Sequence, residues 1–254
     1  MMINNFHTHT CRCHHAYGAD EEYVKSAIQA HMTQLGFSDH TPWHYDSSFQ
    51  PTMRMDETQI DDYIQSLNSL KEKYKDQIDI LIGLECEYFE KYMPWLKKMI
   101  KDKKIDYLIL GNHYYQSDET HIYFGSPCSR QLLKCYVDEC IKAIDTGLYS
   151  YIAHPDLINY DPASPDYRQE MTRLCRYAKK HHIPLEFNLL GYQSKRHYPH
   201  PQFWQIASEN HNQAIIGFDA HSPSSLLDLQ SYKQALEYLN SLHIEVIKTI
   251  KTLR

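Results

Sequence analysis

The chain has 254 residues, of which 42% are hydrophobic and 23% charged, with a net charge of −6 at neutral pH. That length suffices for a sizeable core, and a mean hydropathy of −0.61 without any apolar run near the roughly 18 residues of a membrane span excludes a transmembrane helix. The acidic balance, with a pI near 6.3, gives no wholesale attraction to nucleic acid or anionic membrane, so neither is expected as a partner, and the oligomeric state is left open.

The opening MMINNFHTHT lacks the basic start and apolar run of a signal peptide, so a cytosolic location is expected. A first strand is predicted over Met2–Phe6, then a helix over Asp20–Met32, whose Glu21 and Glu22 sit at the positive end of its dipole. Strand Leu35–Ser38, helix Asp56–Lys75, strand Ile78–Leu84, helix Tyr92–Lys101 and strand Tyr107–Gly111 follow. Next come helix Ser129–Asp145, strand Tyr149–Ala153, helix Tyr167–His181, strand Pro184–Phe187, helix Pro201–Asn210 and strand Ala214–Gly217. A last helix, Pro223–Leu242, precedes a tail expected to add one more strand or helix. Strand and helix alternating in this way imply an α/β fold with a parallel sheet or barrel. A closed β/α barrel takes about 250 residues. The open doubly wound alternative would carry a Gly-rich fingerprint after the first strand, and none is present. A single barrel domain over residues 1–254 is expected.

Histidine is the compositional outlier, with 17 residues. His7 and His9 close the first strand, His40 the second, Glu85 and Glu87 follow the third, His113 the fourth, His154 the fifth, and Asp219 with His221 the last. In a β/α barrel these C-terminal strand ends meet on one face. Residues i and i+2 of a strand point the same way, so His7 with His9, or Asp219 with His221, can share one ion. Imidazole and carboxylate together suit Zn, Mn or Fe, and there are more ligands than one ion needs. One such histidine alone reads as a hydrogen-bonded structural residue; six loaded strand ends read as a multinuclear metal site. His15 can fold back from the first loop, with His14 its rival. The cysteines are scattered and odd in number at seven, which fits reduced thiols. Cys11 and Cys13, close to His14 and His15, could hold a structural zinc, but the spacing is not the usual C-x-x-C, and loop thiols are the simpler reading.

These motifs taken together resemble a known family. His7-Thr8-His9-Thr10, Gly36-Phe37-Ser38-Asp39-His40, Gly83-Leu84-Glu85, His154-Pro155-Asp156 and Gly217-Phe218-Asp219-Ala220-His221 resemble the polymerase-and-histidinol-phosphatase (PHP) superfamily. Phe37 through Trp43, Met53-Arg54-Met55, Pro184 through Asn188 and Tyr198-Pro199 point to its histidinol-phosphatase branch. The resemblance implies a distorted (β/α)7 TIM-like barrel with a trinuclear centre of divalent ions, Zn, Mn or Fe. His7, His9, Glu85 and Asp219 would hold the first ion. Glu85 would bridge to a second, completed by His113 and His154, and His15, His40 and His221 would hold the third. Asn5 stands where many members carry an acid that is not a ligand.

The implied activity is that of a metal-dependent phosphomonoesterase acting on a small phosphorylated substrate, L-histidinol phosphate in histidine biosynthesis, by attack of a metal-activated hydroxide on phosphorus. Another small phosphate ester or a nucleotide is the alternative substrate. Glu85, Asp219 and His221 are the expected catalytic groups, with Asp219, His221 or a metal-bound water as sources of the leaving-group proton. Arg54, Arg130 and Arg196 are candidate donors to the phosphate oxygens, and Glu87 a candidate partner for a substrate amine.

Overall fold

The computed structural model describes residues 3–253; the predicted start of the first strand at Met2 lies outside them. Seven parallel strands, β1 (Ile3–Asn5), β2 (Met32–His40), β3 (Asp79–Cys86), β4 (Tyr107–Leu110), β5 (Tyr149–Ile152), β6 (Leu185–Asn188) and β7 (Ala214–Gly217), pair in chain order. Around them run α1 (Asp20–Gln29), α2 (Ile60–Tyr74), α3 (Met93–Lys103), α4 (Arg130–Asp145), α5 (Pro165–Lys180), α6 (Leu189–Gln193), α7 (Pro201–Glu209) and α8 (Leu229–Ser241). The sheet is a nearly closed barrel. Its seam between β7 and β1 is stitched by His9 N–H to the Ala220 carbonyl and Ala220 N–H to the His7 carbonyl, both 3.0 Å. Below them the Asn5 side chain takes over, accepting from Phe218 N–H at 3.0 Å and donating to the His7 carbonyl at 3.0 Å. The bond accepted from Phe218 crosses the seam, while the donation to His7, which a carboxylate could not make, braces the strand end locally.

The period of two along each strand sorts the side chains. Tyr107, Ile109, Tyr151, Ala153 and Ile215 point into the barrel and form a compact inner cluster with Phe6. Their neighbours Leu108, Leu110, Ile152, Ala214 and Ile216 point outward under the helices. On β3 the inward row runs Leu81, Gly83, Glu85, and on β6 it ends on Glu186 and Asn188. The barrel interior is therefore apolar below and polar at the C-terminal mouth.

Some boundaries differ from the sequence reading. The first helix stops at Gln29, not Met32, because His31 turns left-handed (φ 57°) and Met32 already pairs with Ile3 in the sheet. The final helix divides, since Asp228 caps Ser231 N–H at 3.0 Å and starts α8 at Leu229, after a short turn over Pro223–Leu227. The short α6, capped by Asn188 on Gly191 N–H at 2.8 Å, was not predicted. Among the described residues the tail adds neither a regular strand nor a helix. It makes one bridge beside Ala214 and then crosses the N-terminal end of the barrel, where Ile247 and Ile250 pack on the inner cluster.

Candidate metal centre

All nine residues of the expected ligand set converge at the C-terminal mouth. The rings of His9 and His221 stack at 4.2 Å between centroids, His9 and His40 stand 4.5 Å apart, His15 and His221 4.7 Å, and His113 and His154 4.9 Å. Glu85 lies at their middle. Its Oε1 meets His154 Nε2 at 2.9 Å and His113 Nε2 at 3.3 Å, while Oε2 meets His40 Nδ1 at 3.0 Å and both His7 and His9 Nε2 at 3.5 Å. Asp219 Oδ1 faces His9 Nε2 at 3.2 Å and His7 Nε2 at 3.4 Å. His154 and Asp219 both have positive φ, at 30° and 50°, a sparsely used conformation for side-chain-bearing residues that clusters at functional sites. Gly111 is needed where it stands, because a Cβ there would lie 2.1 Å from Glu85 Oε1.

A second layer of groups orients these side chains. Glu186, fully buried on β6, accepts from His7 Nδ1 at 2.8 Å on one oxygen; the other accepts from His154 N–H at 3.0 Å and Asn188 Nδ2 at 2.9 Å. Glu87 Oε1 holds His113 Nδ1 at 3.0 Å. His15 Nδ1 donates to the Cys13 carbonyl at 2.7 Å and His221 Nδ1 to the Asp219 carbonyl at 2.9 Å. In His7, His15, His113 and His221 the outer nitrogen is thus occupied and Nε2 is left for the centre, the usual arrangement of metal-ligating imidazoles.

The test of whether metal ions fit lies in what remains unpaired. His7 Nε2, His9 Nδ1, His40 Nδ1, His154 Nδ1, His221 Nε2, Glu85 Oε2 and Asp219 Oδ1 are buried with no hydrogen-bond partner. Each such group costs about 1–3 kcal/mol unless something satisfies it, so gathering them is unfavourable without cations to accept their lone pairs. The donor set of imidazole and carboxylate matches Zn, Mn or Fe. The charges agree: burial pushes Glu85 and Asp219 up, but the imidazoles around them outweigh it and hold both well below the ordinary carboxylate range. Burial likewise pulls His7 and His9 down, yet facing carboxylates, Asp219 among them, hold both well above the usual histidine value. Divalent cations would compete with protons for these positions, so metal binding should weaken as pH falls.

The cavity over this centre is about 390 Å³ and is also lined by Tyr114, Tyr123, Tyr198, Met53, Leu157 and Leu190. Arg196, although exposed, reaches it, with NH1 on Tyr198 Oη at 2.7 Å. The other two arginine candidates stand elsewhere. Arg54 is fully buried and spent on Glu87 (2.9 Å), Asp118 (3.0 Å) and the Thr41 carbonyl (3.0 Å), which leaves it no free face for phosphate. Arg130 is largely exposed and pairs with Asp166 at 3.0 Å. Glu87, held by Arg54, His113 and Trp43, is likewise not free for a substrate amine. His14 and His15 are both exposed, but His15 packs against the ligand rings of His9 and His40. A larger cavity, about 770 Å³, lies on the flank against α4 and shares none of these residues.

Sequence reasoning gave no role to Glu186 and Asn188, although they carry the same i, i+2 spacing at the end of a strand. A Cβ at Gly217 would lie 1.8 Å from Glu186 Oε1, so the Gly-Phe-Asp motif partly records this close approach.

Comparison with known proteins gives a consistent picture. A family model described as PHP domain matches residues 5–189. A protein of Deinococcus radiodurans named "Probable histidinol-phosphatase" is 27% identical over 87% of this chain and 86% of its own length. One of Schizosaccharomyces pombe with the same name is 31% identical over 44% of this chain and 39% of its own. The crystal structure of a histidinol phosphate phosphatase from Lactococcus lactis, complexed with zinc, L-histidinol and phosphate, superposes with a TM-score of 0.74. It is 18% identical, and the match covers 99% of each chain.

Proposed function

Since the chain belongs to the PHP domain family, we propose that it is a metal-dependent phosphomonoesterase that hydrolyses L-histidinol phosphate to L-histidinol and phosphate. The observation that carries this reading is the set of buried, unpartnered imidazole and carboxylate atoms beneath a cavity of small-molecule size. The Deinococcus relative, matched over most of both chains, supports the substrate.

Three divalent ions are proposed: one on His7, His9, Glu85 and Asp219, one on Glu85, His113 and His154, one on His15, His40 and His221. Bound there, they supply Lewis-acid polarisation of phosphoryl oxygens and a nucleophile available near neutral pH. Glu85, with both oxygens surrounded by imidazoles, would serve two of these positions. Glu186 and Glu87 fix the rings of His7 and His113. Arg196, which lines the cavity, would donate to the phosphate oxygens. Asp219, whose Oδ2 is held by Asn188 at 3.1 Å, and His221 form one wall of the cavity; with Asp219 held in its charged form and His221 Nδ1 spent on the Asp219 carbonyl, the leaving oxygen would take its proton from water. The three tyrosines bound the space left for the rest of the substrate.

The test is kcat/KM for L-histidinol phosphate on zinc- and manganese-reconstituted protein, beside p-nitrophenyl phosphate and a nucleotide monophosphate. A value of about 10⁴ M⁻¹s⁻¹ or more, far above the other two esters, is expected. Similar weak rates on all three would overturn the substrate. Arg196→Ala should lower kcat/KM by about 10- to 100-fold, the worth of one hydrogen bond to a charged group. Unchanged kinetics would remove Arg196 from the phosphate.

A further inference from the structure

The first loop brings a thiol into the centre. Residues Cys11–Cys13 form a single tight turn, after which His14 turns left-handed (φ 67°). Arg12 pins this turn, with NH1 on both Asp20 oxygens at 3.0 Å and Nε and NH2 on Asp62 at 2.9 and 2.8 Å. The two cysteines therefore part company: Cys11 is exposed and Cys13 is fully buried.

Cys13 Sγ lies among ligand atoms. One donor atom each from Cys13, His15 and His221 falls within 4.8 Å of the others, and the same holds for Cys13, His9 and Asp39. Asp39 is already engaged by Thr10 N–H (3.2 Å), the Thr10 hydroxyl and His40 N–H (2.8 Å). The imidazoles are not. His15 and His221 use Nδ1 on backbone carbonyls, which leaves both Nε2 lone pairs, and His221 Nε2 has no partner. His9, 1% exposed, leaves Nδ1 without a hydrogen-bond partner, 3.5 Å from Asp39 Oδ1 in the group that it forms with Cys13 and Asp39.

We propose that Cys13 supplies a thiolate ligand to the ion held by His15 and His221, making that side of the centre a sulfur–nitrogen site. The inference rests on the metal-centre reading above and is independent of the substrate. As the sulfur–metal bond forms, the thiol proton leaves to solvent, with no change of oxidation state. A soft sulfur donor favours zinc or iron(II) at this position and disfavours manganese, which prefers oxygen ligands. The three ions need not be of one kind.

Cobalt(II) added to the metal-free protein reads the sulfur directly. Wild type and Cys11→Ser should both develop a near-ultraviolet sulfur-to-cobalt charge-transfer band, and Cys13→Ser should bind cobalt without it. X-ray absorption at the zinc edge of the wild-type holoprotein gives the same answer with no substitution, as a sulfur shell at about 2.3 Å. Cobalt bound by the wild type without the band, or a band that survives Cys13→Ser, overturns the proposal. A thiol that only hydrogen-bonds a ligand ring would, when removed, weaken binding by about 10- to 100-fold and yet give no band in the wild type. A wild type that binds no cobalt or zinc at all overturns the metal centre itself, and this ligand with it.

Discussion

Two buried charged residues carry different duties. Glu186 accepts on both oxygens, from His7 Nδ1 on one side and from His154 N–H and Asn188 on the other. A glutamine has only one accepting oxygen. If that oxygen faces His154 and Asn188, the amide N–H₂ faces His7, whose proton must then move to Nε2, the atom that looks toward Glu85 and Asp219. If the amide is reversed, donors meet donors in a buried site. Either way Glu186→Gln should weaken metal affinity by about 10- to 100-fold, measured by chelator competition, while the protein remains folded. Unaltered affinity would remove Glu186 from the support of the centre. Arg54 works through stability. Removing it leaves Glu87 and Asp118 buried without their cation, so Arg54→Ala should cost about 3–5 kcal/mol in urea unfolding of the metal-free protein. A stable variant with only a raised KM would instead return Arg54 to the phosphate.

At the level of elements, what could be read from sequence was local periodicity. Tyr107-Leu108-Ile109-Leu110 reads as a strand, and parallel connection then sends every strand end to one face, so His7, His40, His113 and His154 could be placed together without knowing any long-range contact. What could not be read was partnership across the chain. Glu186 meets His7 across 179 positions, and Arg54, the middle of Met53-Arg54-Met55, finds Glu87 and Asp118 far along the chain. Helix α4 gives another case. Its Glu139 follows an ordinary amphipathic pattern, yet folding buries it, with one oxygen on Gln116 N–H at 3.1 Å, and that burial pushes its carboxyl up to about 8. Between its ordinary value of 4.5 and about 8, the folded protein keeps a proton that the unfolded chain has released. The associated stability is complete at the acidic end of that window, falls as pH rises, and levels off above about 8. Glu139→Gln removes this slope and retains the acceptor for Gln116. From about pH 5 to pH 8 the wild type should therefore lose on the order of a few kcal/mol relative to the variant, read by urea unfolding at each pH. Parallel pH profiles would contradict it.

The whole molecule divides its barrel into a face that reacts and a face that holds. At the C-terminal mouth, orphaned donors and left-handed residues accept an unfavourable arrangement for the sake of ligands. The opposite end is closed by the chain's own tail. Glu245 and Ile247 bond to both sides of Ala214 at 2.8 Å, Asn4 Nδ2 donates to the Lys248 carbonyl at 2.9 Å, Ser150 to that of Lys251 at 2.6 Å, and Leu253 N–H to that of Asp106 at 2.8 Å. One extended segment thus ties β7, β1, β5 and the start of β4, while Ile247 and Ile250 cover the apolar floor. Removing residues 244–254 would uncover the apolar floor on which Ile247 and Ile250 pack and lose the buried Ile244. Burial of one such side chain is worth about 1.5–3 kcal/mol, so the truncated chain should lose on the order of 3–5 kcal/mol of unfolding free energy. The ligands belong to the other face, so metal bound per folded chain should not change. Folded truncated protein that has lost its metal would mean that the floor and the mouth are coupled. Undiminished stability would mean that the tail only lies against the barrel.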